Sequence, residues 1–424
     1  MPLSHQQLAM VVSIGVLITF LASAIKGSYQ VYFVDLVELF GLGRGTFALT
    51  GAIFGLSIGL VSPVVGWVCD RYGAAQTIFS GAVVTALAFL LLGFVHWFPL
   101  FVFVYGVLCA YALAAMTFVP LALLIDQIFE EKNKGLAFAA MTNGTAIGFI
   151  LLSPLWVWLN EFLAWHWVAG GIGLVFLLVV VPATWLLHGL VPKSAGNKPN
   201  LSLVVTEQSS ERVLEIRQQQ RIKQELTKPL FIFLALSFAG CGASMAYIDV
   251  HLVPLMQEIF GKADFKTEMI ASTLSILGTA ELVGAMVVGW AVRFTRPALF
   301  LAGLYAVRAV SLILIAQSHS PAEFIAFALL FGMTYMGTVI ITSLLCLQFY
   351  GEKIKGKMFG FMFTVHQIAV FATIWLGGMA YDHTGSYQWV TLGVAAFCLL
   401  SVLGGLALHW VQQPDPELSN QQSV

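Results

Sequence analysis

A lysine stands inside the first long apolar stretch of the chain, where a charged group is costly. Lys26 lies about 19 residues into that stretch, or ~28 Å along a helix that rises 1.5 Å per residue. The neighbouring segment 27–32 is unusually polar and aromatic. Since an ammonium group in surroundings of low dielectric attracts anions far more strongly than in water, this pattern indicates an anion-binding position. The alternative is a snorkelling lysine whose charge reaches the nearer membrane surface.

Three further charged residues stand inside apolar stretches. Asp249 lies in the apolar stretch at about 229–255, and we expect it to pair with Lys26 and to bind a coupled proton. Glu281 lies 11 residues before Val292, and Arg308 lies 11 residues after Pro297 on the next stretch, so antiparallel helices would bring them to one depth. A buried charge with a partner costs much less than a lone one, which predicts a structural ion pair of Glu281 and Arg308. The alternative for Glu281 is a proton-coupling carboxylate.

Uncharged polar residues complete the candidate site. His366 lies about ten residues into the apolar stretch at about 357–380, near its middle, where its imidazole could donate to a bound solute. The alternative is a histidine whose hydrogen bonds are satisfied by a helix carbonyl or by Gln367. The predicted solute-binding residues are Lys26, Tyr29, Gln30, Tyr32, Asn143, Tyr247, His366 and Gln367.

The composition indicates that membrane-spanning segments position these residues. Hydrophobic residues make up 59% of the 424 residues, charged residues only 10%, and the mean hydropathy is +0.89. These values exclude a soluble globular chain. Stretches of the ~20 residues that cross a bilayer are predicted at about 8–33, 46–68, 75–95, 98–125, 135–159, 165–188, 229–255, 269–292, 297–317, 323–349, 357–380 and 387–411.

The positive residues predict the orientation of these stretches. With a cytoplasmic amino terminus, the inside connections hold fifteen Lys and Arg residues and the outside connections hold three. We therefore expect a multi-pass protein of the inner (plasma) membrane with both termini in the cytoplasm. Segment 189–228 holds seven of the fifteen and is predicted to be a partly helical cytoplasmic linker.

The two halves of the chain repeat each other. Residues 36–41 (LVELFG) resemble 256–261 (MQEIFG) at an offset of 220, and Lys134-Gly135 matches Lys355-Gly356 at an offset of 221. A constant offset indicates two parallel structural repeats. The predicted domains are a six-helix bundle at 1–188, the linker at 189–228, and a second bundle with a short tail at 229–424.

The connection 66–73 carries the motif Gly-x-x-x-Asp-Arg-x-Gly between the second and third stretches. It resembles the signature of the major facilitator superfamily, although Ala74, Ala75 and Gln76 replace the trailing basic residues. The resemblance covers essentially the whole chain. It implies an all-α membrane protein with twelve transmembrane helices in two pseudo-symmetric bundles. It also implies that Asp70 and Arg71 gate one face, with Asp70 capping and pairing with the neighbouring bundle.

Segments 31–44 and 366–387 resemble the branch of monocarboxylate porters and oxalate–formate antiporters. In monocarboxylate relatives the eighth helix carries an acid and, four residues later, an arginine that meets the substrate; here these positions hold Glu281 and Ala285. The first-helix lysine of some relatives corresponds to Lys26. The eleventh-helix lysine of the oxalate–formate type has no counterpart, and His366 lies in that region.

Motifs of other protein classes do not fit. The segment 55–59 (GLSIG) matches the nucleophile-elbow pattern of hydrolases, but it lies inside an apolar stretch and predicts close packing of helices through small residues. The five cysteines have no metal-binding spacing, and the sequence has neither a phosphate-binding lysine loop nor His-Glu-x-x-His. We therefore expect no enzyme activity, no cofactor, no metal and no nucleic acid.

Together these features predict a secondary active transporter of a small organic solute. The lone ammonium indicates an anionic carboxylate, moved with protons or another coupling ion by a protein that functions as a monomer in the lipid bilayer. Three alternatives remain open: a carrier of a carboxylate-type siderophore, an efflux pump for amphipathic compounds, and a transport-dead membrane sensor.

Overall fold

The computed structural model describes residues 4–190, 218–261, 265–318 and 320–411. In these ranges twelve helices are long and apolar enough to cross a membrane, which confirms the predicted all-α fold of two six-helix bundles. The first half holds α1 (His5–Val31), α2 (Arg44–Tyr72), α3 (Ala74–Leu92), α4 (Phe98–Ile128), α5 (Lys132–Asn160) and α6 (Trp165–Leu190). The second half holds α7 (Pro229–Phe260), α8 (Lys266–Phe294), α9 (Pro297–Ala316), α10 (Pro321–Tyr350), α11 (Ile354–Thr384) and α12 (Gln388–Val411).

Consecutive helices run in opposite directions, which gives the molecule two faces. We call the face that holds the start of α1 and the end of α12 the terminal face, and the opposite one the far face. Within the linker predicted at 189–228, residues 218–226 are helical, and 191–217 lie outside the described residues.

Helices α1 and α10 are interrupted near their middle, and α4 is interrupted at Thr117. In α1 the first segment ends at Ala22 and the next begins at Ala24, and a further segment, Phe33–Phe40, follows Tyr32. In α10 the first segment ends at Thr334 and the second begins at Gly337. Each interruption frees backbone carbonyls from the helical ladder, and inside a bilayer these groups need donors from the protein.

The two halves meet along α2 and α11, where small residues allow the backbones to approach. A Cβ at Gly55 would lie 2.4 Å from Cγ1 of Val370, and one at Gly45 would lie 2.8 Å from Cα of Met379. Nearer the terminal face, a Cβ at Gly59 would still lie 3.1 Å from Cγ of Gln367, whereas one at Gly66 would meet nothing within 4 Å. Close packing through segment 55–59 is therefore confirmed.

Hydrogen bonds between the halves are found at the far face and near the centre. At the far face, Thr267 donates to Glu161, and the backbone N–H groups of Arg44 and Gly45 donate to Asp382. In the described part of the chain, no hydrogen bond or ion pair joins residues 60–73 of α2 to the second half. The halves are thus closed together at the far face and separated along α2 at the terminal face.

Candidate solute-binding site

Lys26 is exposed within a segment of α1 that is otherwise buried. Residues 22–25 and 27–33 are all buried, whereas the Lys26 side chain is 46% exposed. Because the rest of this segment is covered by protein, the space that Lys26 faces is internal and lies between the two halves. An ammonium group in such a space keeps its charge only with water or a counter-ion.

The counter-ion is Asp249 of α7. The Nζ atom of Lys26 lies 2.7 Å from Oδ2 of Asp249, so the predicted contact between these residues is present. The Asp249 side chain is 24% exposed, and Met245, one turn earlier on α7, is also partly exposed. Other residues from 241 to 250 are buried, so Met245 and Asp249 mark the face of α7 that borders the internal space.

Asp249 has a second partner that the sequence analysis missed. The phenolic hydroxyl of Tyr335 donates to Oδ1 of Asp249 at 2.8 Å, so the two carboxylate oxygens have different donors. Tyr335 lies at the interruption of α10, where Gly332 and Gly337 flank it within one turn. A tyrosine between glycines in a membrane helix was the available signal, since a buried phenol requires an acceptor.

The predicted ion pair of Glu281 and Arg308 is wrong. Arg308 is fully buried and makes five hydrogen bonds, none of them to Glu281. Among the described ion pairs neither residue appears. The interruption of α10 explains the difference, because its freed carbonyls at 334 and 335 and nearby hydroxyls supply the acceptors that a carboxylate would have supplied.

Glu281 is half-buried and close to the charged pair. The charges that act on it are those of Asp249, Lys26 and Arg308. Two carboxylates and two cations therefore share this part of the molecule.

The other predicted residues of α1 are buried in the first half. Tyr29 stacks on Tyr105 with ring centroids 4.4 Å apart, and Tyr32 donates to the carbonyl of Leu163 at 3.0 Å. Gln30 donates to the carbonyl of Ile248 on α7 at 2.8 Å. In this conformation Tyr29 and Tyr32 are core residues and Gln30 joins the halves, so none of the three faces the internal space beside Lys26.

Tyr247 and Asn143 are also separate from the charged pair. Tyr247 is fully buried, and its hydroxyl is hydrogen-bonded to Thr391 of α12. Asn143 is exposed on α5, between Met141 and Gly144, which are both buried. Of these two predicted residues, only Asn143 is accessible to a solute in this conformation.

His366 and Gln367 form a hydrogen-bonded pair that contacts α2. His366 Nδ1 lies 3.1 Å from Oε1 of Gln367, and Nε2 of Gln367 donates to the carbonyl of Gly55 at 2.8 Å. The imidazole also packs on Phe238 and Phe363. The alternative in which Gln367 satisfies His366 therefore describes this conformation, and Gln367 joins the two halves.

The predicted capping role of Asp70 is not observed. Gly73 precedes α3 without a side-chain capping bond, and among the described residues Asp70 has no hydrogen bond or ion pair. The guanidinium of Arg71 lies 5.6 Å from the ring of Trp67 on the same helix. The physical reason is the separation of the halves at the terminal face, which removes the neighbouring bundle from the reach of both side chains.

Among the residues that the structure describes, no group of three or more His, Cys, Asp or Glu side chains is placed to hold a metal ion. The groups that the structure brings together around Asp249 are the Lys26 ammonium, the Tyr335 phenol and, close by, the Glu281 carboxylate.

Comparison with known proteins gives the same fold. Similar proteins are an uncharacterized MFS-type transporter, YcxA, of Bacillus subtilis (25% identity, 90% of this chain and 89% of the relative) and monocarboxylate transporter 12 of Xenopus laevis (23% identity, 92% and 86%). The solved nucleoside transporter NupG superposes with a TM-score of 0.71 at 15% identity, over 94% of this chain and 99% of NupG. The sequence matches the Major Facilitator Superfamily over residues 15–374, and the chain belongs to that family.

Proposed function

We propose that the protein is a secondary active transporter that carries a small organic anion, with a carboxylate group, together with a proton. The observation that carries this proposal is the ion pair of Lys26 and Asp249, 2.7 Å apart and partly exposed between the two halves. The name of the Xenopus relative, a monocarboxylate transporter, supports the same class of solute.

The pair provides a binding step that is coupled to protonation. A carboxylate that approaches Lys26 must compete with Asp249, and two carboxylates beside one ammonium repel each other. Protonation of Asp249 removes that repulsion, and the ammonium then binds the solute. The reverse order applies on release, so anion and proton cross the membrane together. Glu281 is the second acid that a proton could use.

The orientation follows from the distribution of basic residues, with both termini in the cytoplasm and the protein in the inner (plasma) membrane. In that orientation the terminal face is cytoplasmic, and the conformation described above is open to the cytoplasm. We propose that a monomer performs the transport cycle, because the two halves of one chain provide all the groups named here.

The test is uptake by purified protein in proteoliposomes with an inwardly directed proton gradient. A panel of radiolabelled monocarboxylates (lactate, pyruvate and gluconate) and of di- and tricarboxylates is offered to wild type and to Lys26→Gln. We expect accumulation of at least one carboxylate by wild type and its loss in Lys26→Gln. Lys132→Gln is the matched control, since Lys132 pairs with Glu130 outside the central site.

Normal uptake by Lys26→Gln from about pH 5 to about pH 8 would make Lys26 a surface anchor and would contradict the proposal. Accumulation of a siderophore or export of amphipathic cations by wild type, with no carboxylate uptake, would favour the alternative carriers. A protein that moves no solute but still binds a protein partner would favour the sensor.

A further inference from the structure

Tyr335, at the interruption of α10, is the one phenol among the described residues that donates to Asp249. The buried Arg308 holds that interruption through hydrogen bonds to its carbonyls. We propose that Tyr335 is the third member of the Lys26 and Asp249 site, and that Arg308 is the positioning residue that aims Tyr335 at the carboxylate. This inference rests on the proposed role of the pair. It gives Tyr335 and Arg308 a part in the site beyond the residues of the proposed function.

Each carboxylate oxygen of Asp249 has its own donor. Oδ1 accepts from Tyr335 at 2.8 Å, and Oδ2 accepts from Lys26 at 2.7 Å. Tyr335 is only 7% exposed, whereas the Lys26 side chain is 46% exposed. An exposed ion pair alone contributes only ~0–1 kcal/mol, because both side chains lose freedom in forming it. The buried phenol therefore fixes the carboxylate, and the fixed carboxylate holds the mobile lysine.

Arg308 holds the backbone around Tyr335 in place. Nη2 of Arg308 donates to the backbone carbonyls of Thr334 at 3.0 Å and Tyr335 at 2.6 Å, which are the groups that the interruption frees. Nε donates to the hydroxyl of Thr334 at 3.2 Å, and Nη2 also reaches the hydroxyl of Thr338 at 2.9 Å. A guanidinium is the side chain that can supply so many donors in one plane.

Arg308 also joins α10 to α7, the helix that bears Asp249. Nη1 of Arg308 donates to the hydroxyl of Ser244 on α7 at 2.8 Å, five residues before Asp249. Arg308 therefore ties α9, α10 and α7 together and sets the distance over which the Tyr335 hydroxyl reaches Asp249. A lysine at position 308 has three donors on one nitrogen and cannot bridge these groups together.

The test measures how strongly Lys26 is held, and it needs no transported solute. An ammonium held by a carboxylate is acylated slowly, so the rate at which acetic anhydride modifies Lys26 reports the pair. The rate is read by mass spectrometry of the Lys26 peptide in detergent-solubilised full-length protein, relative to the exposed Lys132 in the same sample. Tyr335→Phe is compared with Tyr350→Phe, because Tyr350 is a buried tyrosine on the same helix whose hydroxyl has no hydrogen-bond partner in the described part of the chain.

We expect Tyr335→Phe to increase the acylation rate of Lys26 by about threefold to tenfold, the effect of losing one hydrogen bond of ordinary net strength. Tyr350→Phe should leave it unchanged. Arg308→Lys should increase it as much as Tyr335→Phe, and the double variant should show no further increase, since both changes remove the same contact. Equal rates in Tyr335→Phe and Tyr350→Phe would overturn the role of Tyr335.

Additive effects of Arg308→Lys and Tyr335→Phe would overturn the positioning role, because general loosening of the fold would act independently of the phenol. If Arg308→Lys does not fold, Ser244→Ala with Thr334→Val removes two acceptors of the guanidinium without changing charge and should also raise the rate. An unchanged rate in Tyr335→Phe, together with loss of uptake in Lys26→Gln, would refute this inference and leave the proposed function standing.

Discussion

Asp382 caps the start of α2 at Arg44, across the boundary between the two halves. Its Oδ1 accepts from the backbone N–H of Arg44 and its Oδ2 from that of Gly45, both at 2.8 Å. The guanidinium of Arg44 lies 3.8 Å from the ring centroid of Tyr381, the residue before Asp382. Because a helix N-terminus carries partial positive charge and unpaired N–H groups, a carboxylate there both caps and neutralises it. The end of α11 thus holds the start of α2 at the far face.

The first prediction concerns this cap. Asp382→Asn keeps the size of the side chain but removes its charge and one acceptor, which should weaken the closed far face by about 1–2 kcal/mol. Spin labels at Leu39 and Phe265, both exposed at the far face, should then report a larger population of long distances. Glu38→Gln is the control, since Glu38 is an exposed far-face carboxylate outside the cap. An identical distance distribution in Asp382→Asn and wild type would contradict the capping role.

The second prediction concerns the contact of α2 with α11. In Gly55→Ala the new Cβ would lie 2.4 Å from Cγ1 of Val370, so the helices must separate, at a cost of about 1–3 kcal/mol. Gly66→Ala lies on the same helix in open space and should be neutral or slightly stabilising. Thermal unfolding in detergent should therefore give a lower midpoint for Gly55→Ala alone. Equal midpoints for the two variants would show that the contact yields easily.

The third prediction concerns Asp70, which ends α2 at the terminal face as Asp382 ends α11 at the far face. In the conformation described here Asp70 has no hydrogen-bond or ion-pair partner among the described residues, and we expect it to act in the state in which the terminal face is closed. Asp70→Asn should then enlarge the population with an open terminal face and slow transport, without a large change in solute affinity.

Distances between spin labels at Tyr72 and Phe294, both exposed near the terminal face, measure that population. Glu130→Gln is the control, because Glu130 pairs with Lys132 in its own connection. Unchanged turnover together with a large loss of affinity would assign Asp70 to binding and not to gating.

The helices and the contact between Lys26 and Asp249 could be predicted from the sequence because each depends only on lengths and positions along the chain. The length of an apolar stretch fixes a membrane helix, and a constant offset between repeats places Asp249 opposite α1. Depth along a helix is also one-dimensional, and it placed Glu281 and Arg308 at one level. It does not give the direction of a side chain around the helix axis.

The direction of a side chain around its helix axis separates the predicted residues that border the internal space from those that are buried. Tyr29 lies three residues after Lys26 and about 60° from it around the helix axis. That difference is enough for Tyr29 to stack on Tyr105 inside the first half while Lys26 faces the internal space. Gln30 is closer in direction to Lys26, but closure of the far face brings the carbonyl of Ile248 to it. The partners of Arg308 depend on an interruption of α10 that leaves no periodic signal in the sequence.

The last prediction separates solute binding from proton coupling. Asp249→Asn removes the titratable group but leaves Lys26 free to bind an anion, so exchange of labelled for unlabelled carboxylate across the membrane should continue. Accumulation driven by a proton gradient should be lost, because no proton then needs to move with the anion. Glu281→Gln is the matched comparison: it removes the second acid without touching the pair, and it should keep both activities. The measurement is the ratio of gradient-driven uptake to exchange in proteoliposomes for the three proteins. Loss of gradient-driven uptake in Glu281→Gln, with its retention in Asp249→Asn, would place the coupled proton on Glu281 and leave Asp249 as the counter-ion of Lys26 alone.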